Sequence, residues 1–221
     1  EYVINATGPW AGKCAEMANV NLQMNPTKGV MVAVDYPKLS TVVNRCRETN
    51  DGDIAIPHKE EVILGTTSVE VDDPDDYPKE EWEVDLMFEE IKDMIQNVTE
   101  KDINRTYWGV RPLYAPAEEN RDSGNTGTGR SISRGFQLLD HKNQDISNFL
   151  SVVGGKLTTN RLMAERTVDY LCNTKLNVDR TCITHKTKLP CVEDPSKLDA
   201  LVKKYNSLSP ADKDMIEDVN N

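Results

Sequence analysis

Val152-Val153-Gly154-Gly155-Lys156-Leu157-Thr158-Thr159-Asn160-Arg161 is the stretch on which the fold turns. A β-branched apolar run ends in two glycines, and a Lys and paired Thr then open a segment predicted to be helical from about Thr158 to Cys172. A strand that stops in a glycine turn at a helix start offers free N–H groups at the positive helix end, and Lys156 adds a full charge, so the stretch can bind an anion. Neither GxxxxGK[ST] nor GxGxxG is present in it. The competing reading is a tight turn with Thr158 as an ordinary N-cap, and the spacing alone leaves both open.

A second strand–turn–helix unit stands at the other end of the chain. Val3-Ile4-Asn5-Ala6-Thr7-Gly8-Pro9-Trp10 reads as a short buried strand, a small-residue turn and a helix start, with Trp10, Cys14 and Met17 at helical spacing. Strands dominate between the two units. The segments Val30 to Val34, Thr41 to Cys46, Ile54 to Ile56, Val62 to Leu64, Thr106 to Val110, Ser131 to Leu139 and Phe149 to Val153 are predicted strands, with a longer-looped hairpin around Pro57 to Glu61. One helix begins near Pro78 and lays Trp82, Leu86, Ile91, Met94 and Ile95 along one face, its opposite face being acidic and solvated. Ser209-Pro210 is a helix start in the final segment. This order is not regular βαβ alternation. It predicts an α+β fold, a mostly antiparallel sheet with flanking helices and a strand–turn–helix unit at each end.

Composition narrows the function. The 221 residues carry 26 Lys and Arg against 37 Asp and Glu, a net charge of −11, which excludes a general nucleic-acid binder. No apolar run approaches the roughly 18 residues of a membrane span. The five cysteines, Cys14, Cys46, Cys172, Cys182 and Cys191, are widely spaced without a CxxC pair and read as reduced thiols, each a small buried hydrophobe. The three histidines show no metal-ligand spacing, so no metal site is expected. His58, at a strand end after Ile56-Pro57, is the one histidine considered as an acid/base, against a plain structural role.

Two arginines attract attention. Arg111 ends the aromatic strand Tyr107-Trp108-Gly109-Val110-Arg111-Pro112-Leu113, where a guanidinium suits a phosphate or carboxylate, or an ordinary ion pair. Arg134 lies on a strand in Ile132-Ser133-Arg134-Gly135-Phe136, a position more typical of a solvated or paired side chain. Asp72 to Asp76 reads as a solvated acidic loop, and the polar, Gly-rich stretch from Pro112 to Gly129 as a long loop of the functional kind.

In order, the segments INATGPWAGK, PTKGVMV, VVNRCR, DGDIAIPH, ILGTTSVEVDDPDDYP, YWGVRPLYAP, ISRGFQLLDH and VVGGKLTTNRLMAE closely resemble the FAD-dependent glycerol-3-phosphate dehydrogenases, above all the large catalytic subunit of the anaerobic type and its archaeal relatives. The resemblance runs from Val3 to Pro190. It implies a two-lobed flavoprotein of the D-amino-acid-oxidase-like kind, with the C-terminal part of a Rossmann-like FAD lobe and an antiparallel substrate lobe. By the resemblance, residues 1–20 are a remnant of the FAD lobe and 21–105 build the substrate lobe. Residues 106–175 form substrate-pocket strands and return to the FAD lobe, and 176–221 are a tail of no assigned role. Ala6, Thr7, Gly8, Gly154, Gly155, Lys156, Leu157 and Thr158 would contact FAD, and Arg111, Arg134 and Lys156 would hold the substrate phosphate.

The family's N-terminal GxGxxG segment, which grips the ADP part of FAD, is absent, as is a Cys-rich C-terminal domain, so the chain reads as a fragment of a larger protein. Met31 stands where some relatives carry a His, which leaves the catalytic base unassigned, with His58 the weak candidate. The reaction implied is oxidation of sn-glycerol 3-phosphate to dihydroxyacetone phosphate by hydride transfer from C2 to FAD, with a base taking the hydroxyl proton. Electrons would pass to electron-transfer subunits or a membrane quinone, and the location would be cytoplasmic or peripheral at the inner face of the membrane. The alternatives are a flavoenzyme of the same fold acting on an amine or amino acid, or, for these residues alone, a domain that binds no cofactor and turns nothing over.

Overall fold

The structure is a computed structural model that describes residues 1–115, 135–187, 203 and 207. Arg134, most of the Gly-rich loop, Cys191 and the helix expected at Ser209-Pro210 lie outside the described residues. Two compact units divide the chain, residues 1–163 and residues 164–221.

The first unit holds two sheets. The smaller has the order β1-β9-β8. Strands β1 (Val3–Asn5) and β9 (Phe149–Gly154) run parallel, with Asn5 opposite Ser151, and β8 (Phe136–Asp140) is antiparallel to β9. The two strand–turn–helix units read from the sequence are therefore neighbours, 146 residues apart in the chain. After the first comes helix α1 (Ala11–Glu16), and after the second a 3-10 turn and α3 (Asn160–Tyr170), which ends in a π-helical turn, Leu171–Lys175. The buried side of α1 is Ala11 and Ala15, with Cys14 half-buried against the same cluster, while Trp10 and Met17 face outward. Met17 is 87% exposed, because only the alanines allow the helix to lie close against Phe149 and Val153.

The larger sheet is six-stranded and centred on β2 (Thr27–Asp35). One edge of β2 pairs with β5 (Glu61–Gly65) and, at Thr27 and Lys28, with β6 (Val69–Glu70). The other edge pairs with β7 (Ile103–Arg111). Strands β4 (Ile54–His58) and β3 (Val43–Asn44) continue outward from β5, all antiparallel. Because β7 pairs with β2, this sheet runs past residue 105 to Arg111. The hairpin is tighter than the sequence suggests. Pro57 and His58 belong to β4, and only Lys59 and Glu60 form the turn, Lys59 with φ +57°. Pro57 is tolerated because β3 pairs with β4 only at Ile54 and Ala55, so no ladder N–H is needed on its outer side. The expected strand Thr41 to Cys46 shrinks to two residues, since Arg45 and Arg47 tie the following loop to Glu90, Asp53 and Asp93. Cys46 in that loop is exposed, unlike the buried hydrophobe expected.

Helix α2 (Glu81–Ile91) covers one face of this sheet. Val30, Val32 and Val34 of β2 alternate toward it and pack with Met87, Phe88, Ile91 and Ile95. Its buried face is shifted from the one predicted. Trp82 is 46% exposed, whereas Glu83 is wholly buried. An acid occupies a core position there because the sheet supplies a buried cation to meet it.

Candidate functional site

On β2, alternate residues Thr27, Gly29, Met31 and Ala33 turn away from α2, and across the pair on β7 their partners are Arg111, Gly109, Tyr107 and Arg105. Arg111, Gly109 and Tyr107 thus share one open face. Tyr107 is 40% exposed, and nothing lies within 4 Å of where a Cβ on Gly109 would stand.

The Arg111 side chain does not extend freely from its strand. Its guanidinium crosses β2 over Gly29, reaching a gap between β5 and β6. Nη1 donates to Lys28 O at 3.2 Å, and Nη2 donates to Thr66 Oγ1 and Thr67 O, both at 3.0 Å. A Cβ at Gly29 would strike Arg111 Nη2, Thr66 Oγ1 and Thr67 O, so only glycine permits this crossing. Thr27, opposite Arg111, is fully buried, and its Oγ1 has no hydrogen-bond partner among the described residues.

Behind Arg111, on the α2 side of the sheet, lies a buried polar cluster. Glu83 accepts from Lys28 Nζ at 2.9 Å and Trp108 Nε1 at 3.0 Å on Oε2, and from Thr67 Oγ1 at 2.7 Å on Oε1. Thr67 Oγ1 also accepts from Val30 N, and Lys28 Nζ donates to Pro78 O at 2.5 Å and Glu80. Burial pulls the Lys28 ammonium toward neutrality, but its bonds to Glu83 and Glu80 outweigh that and hold its pKa above the usual lysine value.

In the smaller sheet, Ala6-Thr7-Gly8 and Gly154-Gly155 follow the carboxyl ends of the adjacent parallel strands β1 and β9. That is the edge of an α/β sheet where ligands bind. Gly8 has φ +63° with open space around its missing Cβ, and Gly154 and Gly155 have φ +72° and +80°. Lys156, Leu157 and Thr158 are exposed beside the second turn, Leu157 at 88%. The capping expected of Thr158 falls to Thr159, whose Oγ1 accepts from Lys156 N and donates to Lys156 O. From below, Asn5 braces the first turn. Its Nδ2 donates to Ala11 O and Ser151 Oγ, and its Oδ1 accepts from Thr7 Oγ1 at 2.7 Å. Ser151 Oγ in turn meets His141 Nε2 at 2.9 Å.

His58 is at the wrong end for a base serving Arg111. It pairs with Glu61, which pairs with Asp35, the far end of β2 from Thr27 and Arg111. At about 3.3 Å per residue that is on the order of 26 Å away. The turn residue Lys59 and the exposed strand end leave it on an open surface. The acidic loop is not merely solvated either. Lys13 Nζ pairs with Asp73 and Asp75 at 2.6 and 2.8 Å, and Trp10 Nε1 donates to Asp75.

Two glycine turns at the ends of parallel strands, and an antiparallel sheet bearing a braced guanidinium, fit the two-lobed flavoprotein class, and the family match establishes it. The chain belongs to the FAD dependent oxidoreductase family DAO, whose model matches residues 1–139. The cofactor of that family is FAD, and the open space at Gly8 fits a ligand that must approach the backbone closely, whereas at Gly154 and Gly155 the missing Cβ is where Gly135 O and the Met163 and Phe136 side chains pack, with both φ values positive.

Among individual proteins, the chain is 45% identical over 215 residues to one subunit of the anaerobic glycerol-3-phosphate dehydrogenase of Haloferax volcanii, covering 95% of this chain and 35% of that protein. Against a subunit of the Escherichia coli anaerobic glycerol-3-phosphate dehydrogenase the identity is 37%, over 89% of this chain and 35% of the relative. The crystal structure of the glycerol-3-phosphate dehydrogenase from Bacillus halodurans complexed with FAD superposes with a TM-score of 0.60 at 28% identity, covering 83% of this chain and 34% of that one. Glycine oxidase from Bacillus cereus shares the fold, with a TM-score of 0.52 at 16% identity over 76% of this chain and 42% of that one. The chain spans about a third of the length of the curated relatives it matches.

Sequence reasoning names Arg111 and both glycine turns. It misses Thr66, Thr67, Glu83 and the clearance at Gly29. The pairs Lys28-Gly29 and Thr66-Thr67 stand in the quoted motifs, but no spacing rule links them to a helix residue sixteen positions on from Thr67.

Proposed function

We propose that the whole protein to which these residues belong oxidises sn-glycerol 3-phosphate at C2 to dihydroxyacetone phosphate, with FAD as hydride acceptor. The observation that carries this reading is the Arg111 guanidinium seated over Gly29 on the open face of β2 and β7. A fixed guanidinium on a chain of net charge −11 supplies the local positive field that a phosphate dianion needs. The names of the 45% and 37% identical relatives support the same substrate.

Within this reading Arg111 holds and orients the phosphate, and Lys156 and Arg134 add positive charge to the pocket. Ala6, Thr7 and Gly8 with Gly154, Gly155, Leu157 and Thr158 cradle FAD through close backbone approach. Bound FAD supplies a two-electron acceptor for the C2 hydride. Tyr107 and Met31 line the open face and help exclude water from the substrate. Electrons leave to partner subunits or a membrane quinone, at the cytoplasmic face of the membrane.

The test is steady-state oxidation of glycerol 3-phosphate by the FAD-loaded whole protein with a dye acceptor. Arg111→Ala should weaken substrate affinity by a few kcal/mol if the charge pair is buried beneath substrate. Unchanged KM and kcat would remove Arg111 from the site. Turnover of an amino acid in place of glycerol 3-phosphate would overturn the substrate assignment.

A further inference from the structure

We propose that Glu83 is a positioning residue for Arg111, acting through the sheet: the two backbone carbonyls that hold the guanidinium, Lys28 O and Thr67 O, belong to residues whose side chains both end on the Glu83 carboxylate. The inference rests on the reading of Arg111 as the holder of the substrate phosphate.

The geometry has two sides. On the open face, Arg111 donates to Lys28 O, Thr67 O and Thr66 Oγ1. On the α2 face, Lys28 Nζ and Thr67 Oγ1 reach Glu83 at 2.9 and 2.7 Å. Lys28, Thr67 and Glu83 are each at most 1% exposed, so solvent neither screens these bonds nor replaces them. Thr67 Oγ1 also takes the amide of Val30, which fixes the 66–67 backbone against β2 where the β5 and β6 ladders leave a gap. The carbonyls are thereby held from behind, and Gly29 leaves the space in front. A guanidinium on a long side chain has many rotamers in water; three acceptors fixed to the sheet select one. Displacement of an orienting group by about 1 Å can cost up to a hundredfold, so loosening Thr67 should be felt at the phosphate.

The experiment uses the FAD-loaded whole protein. KM and kcat for glycerol 3-phosphate, the inhibition constant of inorganic phosphate and a calorimetric phosphate titration are measured for Thr67→Val, Thr67→Ser, Glu83→Gln and Arg111→Ala. Thr67→Val should raise KM, the inhibition constant and the phosphate Kd in parallel, by about tenfold or more, with kcat changed much less. Thr67→Ser, which keeps the hydroxyl, should restore them. A purely structural role would lower the melting temperature and the active fraction while leaving KM and the phosphate constants at wild-type values, and that result overturns the inference. If Thr67→Val does not fold, Glu83→Gln, which keeps the shape of the side chain but not its charge, is read by the same criteria. Should Arg111→Ala itself leave the phosphate constants unchanged, the reading of Arg111 fails and this inference falls with it. An effect of Arg111→Ala beside wild-type constants in folded Thr67→Val and Glu83→Gln removes the inference alone.

Discussion

The two sheets keep polar groups in their interiors by different means. Behind the larger sheet the network is charged: Lys28 and Glu83, closed by Thr67, Trp108 and Pro78 O. In the smaller sheet it is neutral: Asn5, Ser151, His141 and Gln144, joined to Ala11 O and Thr7. Each network stands behind a segment of the candidate site, the first behind Arg111 and the second behind the Ala6-Thr7-Gly8 turn. The difference lies in what breaking them costs. A buried ion pair broken from one side leaves an uncompensated charge in a dry interior, whereas a neutral network broken at one member leaves only unpaired dipoles. The charged brace is therefore the stiffer of the two.

The largest expected effect follows directly. Glu83→Ala leaves the buried Lys28 with Pro78 O and, among the described residues, only the half-exposed Glu80 as an anionic partner, and should destabilise the fold by about 3–5 kcal/mol in a denaturant titration. A loss below about 1 kcal/mol would break the comparison, because Lys28 would then have found water or another anion. Asn5→Ala comes next. It removes the bonds to Ala11 O, Ser151 Oγ and Thr7 Oγ1 at a fully buried site, for about 1–3 kcal/mol in the same measurement. If Asn5→Ala proves the costlier of the two, the neutral network is the main brace and the ranking is reversed.

How far these regions are legible in the sequence differs for a physical reason. The strand–turn–helix units are legible because each is local: β-branched runs, glycines and helix starts lie within ten residues. Their parallel pairing is not, since Asn5 and Ser151 are joined only by tertiary structure. Arg111 is legible as a guanidinium at a strand end, but not its crossing over Gly29, which depends on the register of β2 against β7. The acidic face of α2 misleads for the same cause. Glu83 looks like any other solvated acid of an acidic helix until Lys28 is placed opposite it. Likewise His58 stands close to Thr66 and Thr67 in sequence, while strand direction carries it to the far end of the sheet.

The neutral network should respond to pH through its histidine. Burial pushes the His141 pKa below the ordinary value near 6.5, with nearby Asp140 only partly opposing the shift. The unfolded chain then takes up a proton that the folded chain refuses. Stability is full above the unfolded value and falls as the pH drops from about 6.5 toward the folded value. The urea midpoint should decline on acidification to about pH 5, and His141→Gln should flatten that decline. An identical slope in the variant would place the proton uptake elsewhere.

The smallest effect has the opposite sign. The named members of both networks have partners, but Thr27 Oγ1 is buried with none among the described residues. It lies in the larger sheet directly across from Arg111. A hydroxyl held out of water without a partner costs free energy, and Val has nearly the same shape and favours a strand. Thr27→Val should therefore stabilise the protein by roughly 1 kcal/mol, read as a raised melting temperature with no change in the denaturant m-value. If the variant is instead less stable, the hydroxyl does have a partner in the folded protein, and the polar interior of the larger sheet extends from Glu83 through to the Arg111 face.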